Sequence, residues 1–271
     1  MAEKYFTVES VATFVHHRGA TTLPAQPPPP AAGATVLCLH DAAGNGHAFT
    51  GVLDALAGEH RPIAFDLPGH GRSGGLDSLG EIAAMAAHAH ALADRLGLTS
   101  VVLLGDGMGA AVALEIAATW PQLASAVVVC GGASLTPAPD PAVLDQLRQV
   151  TAGRARRQFD TTGYAPDTPR DVYQRAFGEW MKTDPRATVG DLQALVDWPG
   201  AERVGAITAP VTVVVGEHEP PEARAAADEL AAAVADGRVV ELAGAGRRGV
   251  LEQPDRLAAI VAEAAAAGVP A

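Results

Sequence analysis

Short apolar runs alternate with longer stretches whose apolar residues recur at helical spacing, and this alternation organises most of the chain. The strand-like runs are "ATVLCLH" (34–40), "RPIAFDL" (61–67), "SVVLLG" (100–105), "SAVVVCG" (125–131), "APVTVVVG" (209–216) and "RVVELAG" (238–244). Between them lie helical patterns near 47–58, 78–97, from the Gly-rich turn at 105–109 to Trp120, and over 220–235 and 252–267. Strands that are apolar throughout belong in a parallel sheet covered by helices on both faces. Two further strands, about 5–8 and 10–17, open the chain as an antiparallel pair. "LPAQPPPPAAG" connects them to the rest, and its four consecutive prolines exclude both helix and central strand, so it is expected as an extended surface loop.

The regular alternation stops from about 134 to 200. That segment carries several prolines, the basic cluster "GRARRQ", and helix-like stretches near 140–157, 168–182 and 186–197. Lying between two sheet strands, it is expected as an insertion forming a helical cap, which divides the chain into a core of 1–133 with 201–271 and a cap of 134–200. The cap aromatics Tyr164, Tyr173, Phe177, Trp180 and Trp198 are expected chiefly to pack this lid, with the lining of an apolar pocket as the alternative use.

At 271 residues and 48% hydrophobic composition the chain can bury a large core. Thirty-one acidic against 19 basic residues give a formal charge of −12, which argues against non-specific binding to nucleic acid or to an anionic membrane. Cys38 and Cys130 sit in apolar strand-like runs and are expected as small buried hydrophobes rather than a disulfide. Neither a signal-peptide pattern nor a stretch of about 18 uninterrupted apolar residues is present, so a cytoplasmic protein is expected. The histidines show no metal-ligand spacing: His88 and His90, two apart on a helix, point to different sides. No cofactor is implied.

Four motifs in order resemble those of the α/β-hydrolase superfamily, particularly its small capped esterases and C–C bond hydrolases. "LCLHDAAGNGHAF" is similar to the family's oxyanion-hole loop, with Asp41 in place of a glycine. "AFDLPGHGRSGG" matches the loop after the next strand, where His70 and Arg72 are expected as scaffold. "GDLQALVDWPGAERVGAITAPVTVVVGEHEP" resembles the exit from the cap into the acid-bearing strand, and "LAGAGRRGVLEQPDRLAAIV" resembles the segment that presents the catalytic His. The resemblance covers nearly the whole chain and implies an α/β-hydrolase fold: a mostly parallel, doubly wound sheet with an inserted helical cap.

The catalytic positions depart from that pattern. The family's elbow reads G-x-Ser-x-G, and aligning Gly105 and Gly109 with its outer glycines places Gly107, which has no attacking atom, at the nucleophile position. A one-residue slip would make Asp106 the nucleophile at the cost of that spacing. The base position falls on Arg247, whose guanidinium cannot act as a general base, while a carboxylate, Glu219, stands at the acid position. Glu219 and Arg247 are expected either to form a charge-assisted pair that joins two loops or to leave Arg247 free to bind a ligand carboxylate or phosphate. By resemblance, the backbone N–H groups of Ala42, or its neighbour Ala43, and Met108 supply an oxyanion hole.

Two functions fit these residues. One is a non-catalytic protein that binds a small acyl, carbonyl or carboxylate ligand, or serves as an inactive subunit of a homo- or hetero-oligomer. The other is a hydrolase or lyase using non-covalent acid/base chemistry through Asp106, Asp41 or His40, with Arg247 on an anionic group.

Overall fold

A computed structural model describes residues 2–18 and 33–268; the Pro-rich connector, except for Gly33, lies outside the described residues. Strands β1 (Ala2–Val8) and β2 (Val11–His17) form the expected antiparallel hairpin. They are followed by β3 (Thr35–Leu39), α1 (Thr50–Leu56), β4 (Arg61–Phe65), α2 (Ile82–Arg95), β5 (Val101–Asp106), α3 (Met108–Thr119) and β6 (Ala124–Cys130). Helices α4 (Pro141–Thr151), α5 (Arg170–Trp180), α6 (Pro185–Asp197) and the single turn α7 (Gly200–Arg203) fill the connection from β6 to β7 (Val211–Gly216). The chain closes with α8 (Pro221–Ala233), β8 (Gly237–Leu242), the short α9 (Gly249–Glu252) and α10 (Pro254–Ala267).

The eight strands form one sheet in the order β1-β2-β4-β3-β5-β6-β7-β8, parallel from β4 to β8 and antiparallel at β1 and β2. Successive strand residues enter opposite apolar layers, as the pleat requires. Leu37, Leu39, Leu103 and Val127 pack with α2, α3 and α8, whereas Val36, Cys38, Leu104 and Val128 pack with α1 and α10. Both cysteines are free and buried. No helix among the described residues is long and apolar enough to cross a membrane.

Strand order reverses at β3, whose successor β4 lies on one side while β5 lies on the other. Crossovers leave in opposite directions at such a switch point and open a crevice at the carboxyl ends of the strands. The loop after β3 and the turn after β5 therefore meet at the centre of the sheet.

Two elements are shorter than their sequence pattern. The helix expected over 140–157 ends at Thr151, because Gly153 adopts a left-handed backbone (φ +71°) that turns "RARR" away from the axis. The helix expected from 78 begins only at Ile82, after Gly80 at φ +75°.

Side chains from distant positions fasten the helical segment between β6 and β7 to the rest of the fold. Glu115 on α3 accepts from Trp198 Nε1 at 3.0 Å and Arg203 Nη2 at 2.8 Å. Glu252 accepts from the Ala165 and Gly246 N–H groups and from the Thr168 hydroxyl. His70, in the loop after β4, meets Asp191 of α6 at 2.7 Å, both fully enclosed. The scaffold expectation for His70 therefore takes the form of a tie to the insertion, while Arg72 lies over the Phe14 ring at 5.1 Å.

Burial alone would lower the pKa of His70, but the hydrogen bond and charge of Asp191, helped by the Pro68 carbonyl and Asp66, outweigh it and raise the pKa; His40 is the neighbouring ring. A raised histidine pKa contributes stability that is fully present below the unfolded value near 6.5 and is lost as pH rises through the folded value. Asp191→Asn, which keeps the shape and removes the charge, is expected to cost about 1–2 kcal/mol at pH near 6 and progressively less at alkaline pH. Urea unfolding across that range measures this, and a cost that grows with pH would contradict it.

Candidate functional site

The turn after β5 follows from three glycines with separate tasks. A side chain at Gly109 would strike the carbonyl of Leu39, and one at Gly105 would strike the backbone of Gly109, so both permit α3 to lie close on the sheet. Gly107 stands between them at φ +56° and ψ −114°, a backbone region costly for any other residue. Its N–H donates to the Cys130 carbonyl at 3.0 Å, and α3 starts at the next residue. This is a sharp strand-to-helix turn whose apex carries no side chain.

The space over that apex is filled from the neighbouring strand. Asp41, in the loop after β3, reaches across so that its Oδ1 accepts from the N–H of Ala42 at 2.8 Å and the N–H of Met108 at 2.9 Å. Its Oδ2 accepts from Arg248 Nη1 at 2.9 Å. The two donors expected of an oxyanion hole, at Ala42 and Met108, thus converge and are already occupied. A Cβ built on Gly107 would overlap the same carboxylate. A nucleophile at position 107 and an aspartate at position 41 exclude each other in this arrangement.

Asp106, one residue before the apex, is buried beside this group and lines the cleft. Its Oδ1 passes over Gly131, and its one hydrogen-bond partner among the described residues is the Cys130 thiol, at 3.6 Å. Burial, with the charge of Asp41 added, pushes its carboxyl up to about 7 despite Arg248 and Arg247 nearby. It is therefore a carboxyl group that changes charge near neutral pH.

Other expectations are corrected here. Glu219 and Arg247 do not pair: Glu219 Oε1 folds back to accept from the Gly216 N–H at 2.8 Å, while Arg247 Nε donates to the Gly131 carbonyl at 2.9 Å. Capping its own strand end satisfies Glu219, and the glycines at 132 and 163 leave room for the Arg247 side chain between them. Burial raises the Glu219 pKa, offset in part by the Gly216 N–H and the charge of Arg247. His40 does not line the cleft. It is fully enclosed, with Nδ1 against the Asp41 carbonyl and Nε2 accepting from the Leu67 N–H, and burial together with His70 lowers its pKa to about 4.

Above these residues, between the strand ends and the helical insertion, lies a cleft of about 1550 Å³. Asp41, Asp106, Gly107, Arg247 and Arg248 line its floor, and Phe159, Tyr164 and Trp180 line the insertion side. The aromatic residues pack on one another, Tyr164 on Tyr173 at 4.4 Å and Phe159 on Trp180 at 5.4 Å. Phe177 joins them yet remains half exposed. Among the described residues, no group of three or more His, Cys, Asp or Glu side chains is placed to hold a metal ion.

The sequence model of the Alpha/beta hydrolase family matches residues 36–260. The chain belongs to this family. Among curated proteins it is 27% identical over 210 residues to the magnesium-chelatase 30 kDa subunit of Rhodobacter capsulatus, covering 70% of this chain and 72% of that one. It is 25% identical over 172 residues to a 2-hydroxy-6-oxononadienedioate/2-hydroxy-6-oxononatrienedioate hydrolase of a Pseudomonas species, covering 59% and 61%. Among solved structures, a thermophilic esterase from Thermogutta terrifontis superposes with a TM-score of 0.78 at 21% identity, covering 97% of each chain.

The motifs single out Asp41 and Arg247 but not Arg248, the residue that grips Asp41. The adjacent "RR" was the available signal, and nothing in spacing says which arginine turns inward.

The site leads to two expected outcomes. Gly107→Ala should cost more than about 2 kcal/mol in the native background and clearly less in Asp41→Gly, because the second change removes the overlap and leaves only backbone strain. Equal costs in both backgrounds, measured by urea unfolding, would place Asp41 elsewhere. For Asp106, a raised carboxyl pKa means stability present below the unfolded value of 3.8 and lost as pH rises through about 7. Asp106→Asn should therefore match the native chain near pH 4 and exceed its stability by roughly 1–3 kcal/mol near pH 8. An unchanged difference across that range would sink this assignment.

Proposed function

We propose that this chain is an α/β-hydrolase-fold protein that forms no acyl-enzyme and binds a small carboxylate-bearing molecule in the cleft beneath its helical insertion, which serves as a cap. The observation that carries the reading is the Asp41 carboxylate over Gly107: the position of a nucleophile and both donors for an acyl oxygen are taken by one side chain of the protein itself. Covalent catalysis needs an attacking atom and a base, and neither Gly107 nor Arg247 supplies one.

Arg247 is the group suited to hold the ligand's carboxylate. Its Nε is fixed on the Gly131 carbonyl, which aims a planar guanidinium of restricted freedom along the cleft floor. The cleft volume exceeds the roughly 300–1,000 Å³ of drug-sized sites, which favours a ligand that also uses the aromatic wall. The printed name of one relative, a hydrolase of compounds named as dioates, supports the carboxylate part of this reading alone.

Asp106 favours a second reading, a hydrolase or lyase working without a covalent intermediate. A carboxyl that titrates near 7 and faces the cleft suits proton transfer. Turnover of a carboxylate substrate that disappears in Asp106→Asn with binding retained would select this reading.

Incubation with a fluorophosphonate probe and with short-chain nitrophenyl esters is expected to give no labelling and no burst. A panel of mono- and dicarboxylates should raise the melting temperature of the native protein, and the rise should shrink several-fold in Arg247→Ala. Stoichiometric labelling near residue 107, or carboxylate stabilisation indifferent to Arg247, would overturn the proposal.

A further inference from the structure

The contacts of Asp41 describe a complete anion site. One carboxylate oxygen takes two backbone N–H groups from different segments, Ala42 in the loop after β3 and Met108 at the start of α3. The other oxygen takes the Nη1 of Arg248 at 2.9 Å. Converging N–H donors with a guanidinium are the usual means of holding a carboxylate, and charge-assisted bonds of this kind are among the stronger ones in proteins. The occupant here is held by one bond to the guanidinium, and the buried Nε of Arg248 has no hydrogen-bond partner among the described residues. A guanidinium donates through Nε and Nη together to a free carboxylate. The tethered side chain leaves one of those donors unused.

We propose that Ala42 N–H, Met108 N–H and Arg248 form a second carboxylate site at the floor of the cleft, which Asp41 occupies as an internal ligand and keeps closed. This rests on the non-covalent reading above but concerns a different guanidinium and a different set of donors. The site accepts a carboxylate only when Asp41 is displaced. It also explains why the nucleophile and the glycine of the oxyanion loop are both missing. Asp41 needs the space over Gly107, so the masked site and the side-chain-free apex are one structural change.

The test is run in an Arg247→Ala background, so that the anchor proposed in the previous subsection contributes nothing. Thermal unfolding is followed in sodium formate and in sodium chloride at matched ionic strength. Adding Asp41→Ala should lower the melting temperature in chloride and let formate restore it, saturably and with an apparent affinity at least about tenfold above that of the Arg247→Ala parent. Asp41→Asn, whose amide still fills the space, should show no such rescue. Adding Arg248→Met to the Asp41→Ala protein should abolish it.

The proposal fails if formate does not rescue a folded Asp41→Ala protein, if the parent responds equally, or if the rescue survives Arg248→Met. Asp41→Gly serves as a second opened variant. If neither opened variant folds in chloride, refolding in formate decides: recovery of the native circular dichroism supports the site, and no recovery overturns it. Failure here leaves the role of Arg247 and the absence of an acyl-enzyme standing, since neither depends on formate binding at Arg248.

Discussion

A carboxylate that takes two backbone N–H groups and a guanidinium cannot be removed or moved without leaving several donors unpaired. In this protein Asp41 holds that position, and the arrangement of the cleft floor depends on it. The side-chain-free apex at Gly107 leaves room for the carboxylate, and Arg248 is drawn inward to balance its charge. Asp106, left beside that charge in a buried place, is made a weak acid. All of these groups meet at a loop whose course the sheet has already fixed.

The sheet fixes it through its switch point. Because β3 and β5 are parallel neighbours whose crossovers leave on opposite faces, the loop after one and the helix start after the other are brought together whatever side chains they carry. A scaffold of this kind presents backbone donors as a property of the fold, while the chemistry depends on side chains that can be exchanged. Here the N–H groups of Ala42 and Met108 are taken by a residue of the chain itself. A likeness in fold to esterases is therefore a statement about the scaffold, and the reaction has to be argued from the side chains.

The sheet, the helices over its two faces and the position of the turn were legible in the sequence because each rests on local signals. The apolar strands "VVLLG" and "SAVVVCG", the glycines at 105 and 109 and the proline-started helices all declare themselves within a few residues. The partners inside the site were less legible. That Arg248 rather than Arg247 meets Asp41, and that Glu219 turns back onto Gly216, depend on rotamers chosen among several acceptors and donors. Pattern and spacing do not record those choices. Glu115, Glu252 and Asp191, which tie the insertion to the core, were missed for a related reason: each lies far in sequence from its partner and looks like an ordinary helical acid.

These ties bear on how the cleft operates. The insertion is held at separate points on α3, on α9 and in the loop after β4, and at each a carboxylate receives hydrogen bonds from across the chain. Buried polar ties of this kind specify one arrangement more than they add net stability, since a misaligned pair loses its bonds while still paying for desolvation. The insertion thus has a seat over the floor, and the aromatic residues Phe159, Tyr164 and Trp180 line the same cleft as the arginines. Anything that fills the cleft has to reach from those aromatic residues to the floor, so length and the placing of polar groups are set by where the insertion is tied.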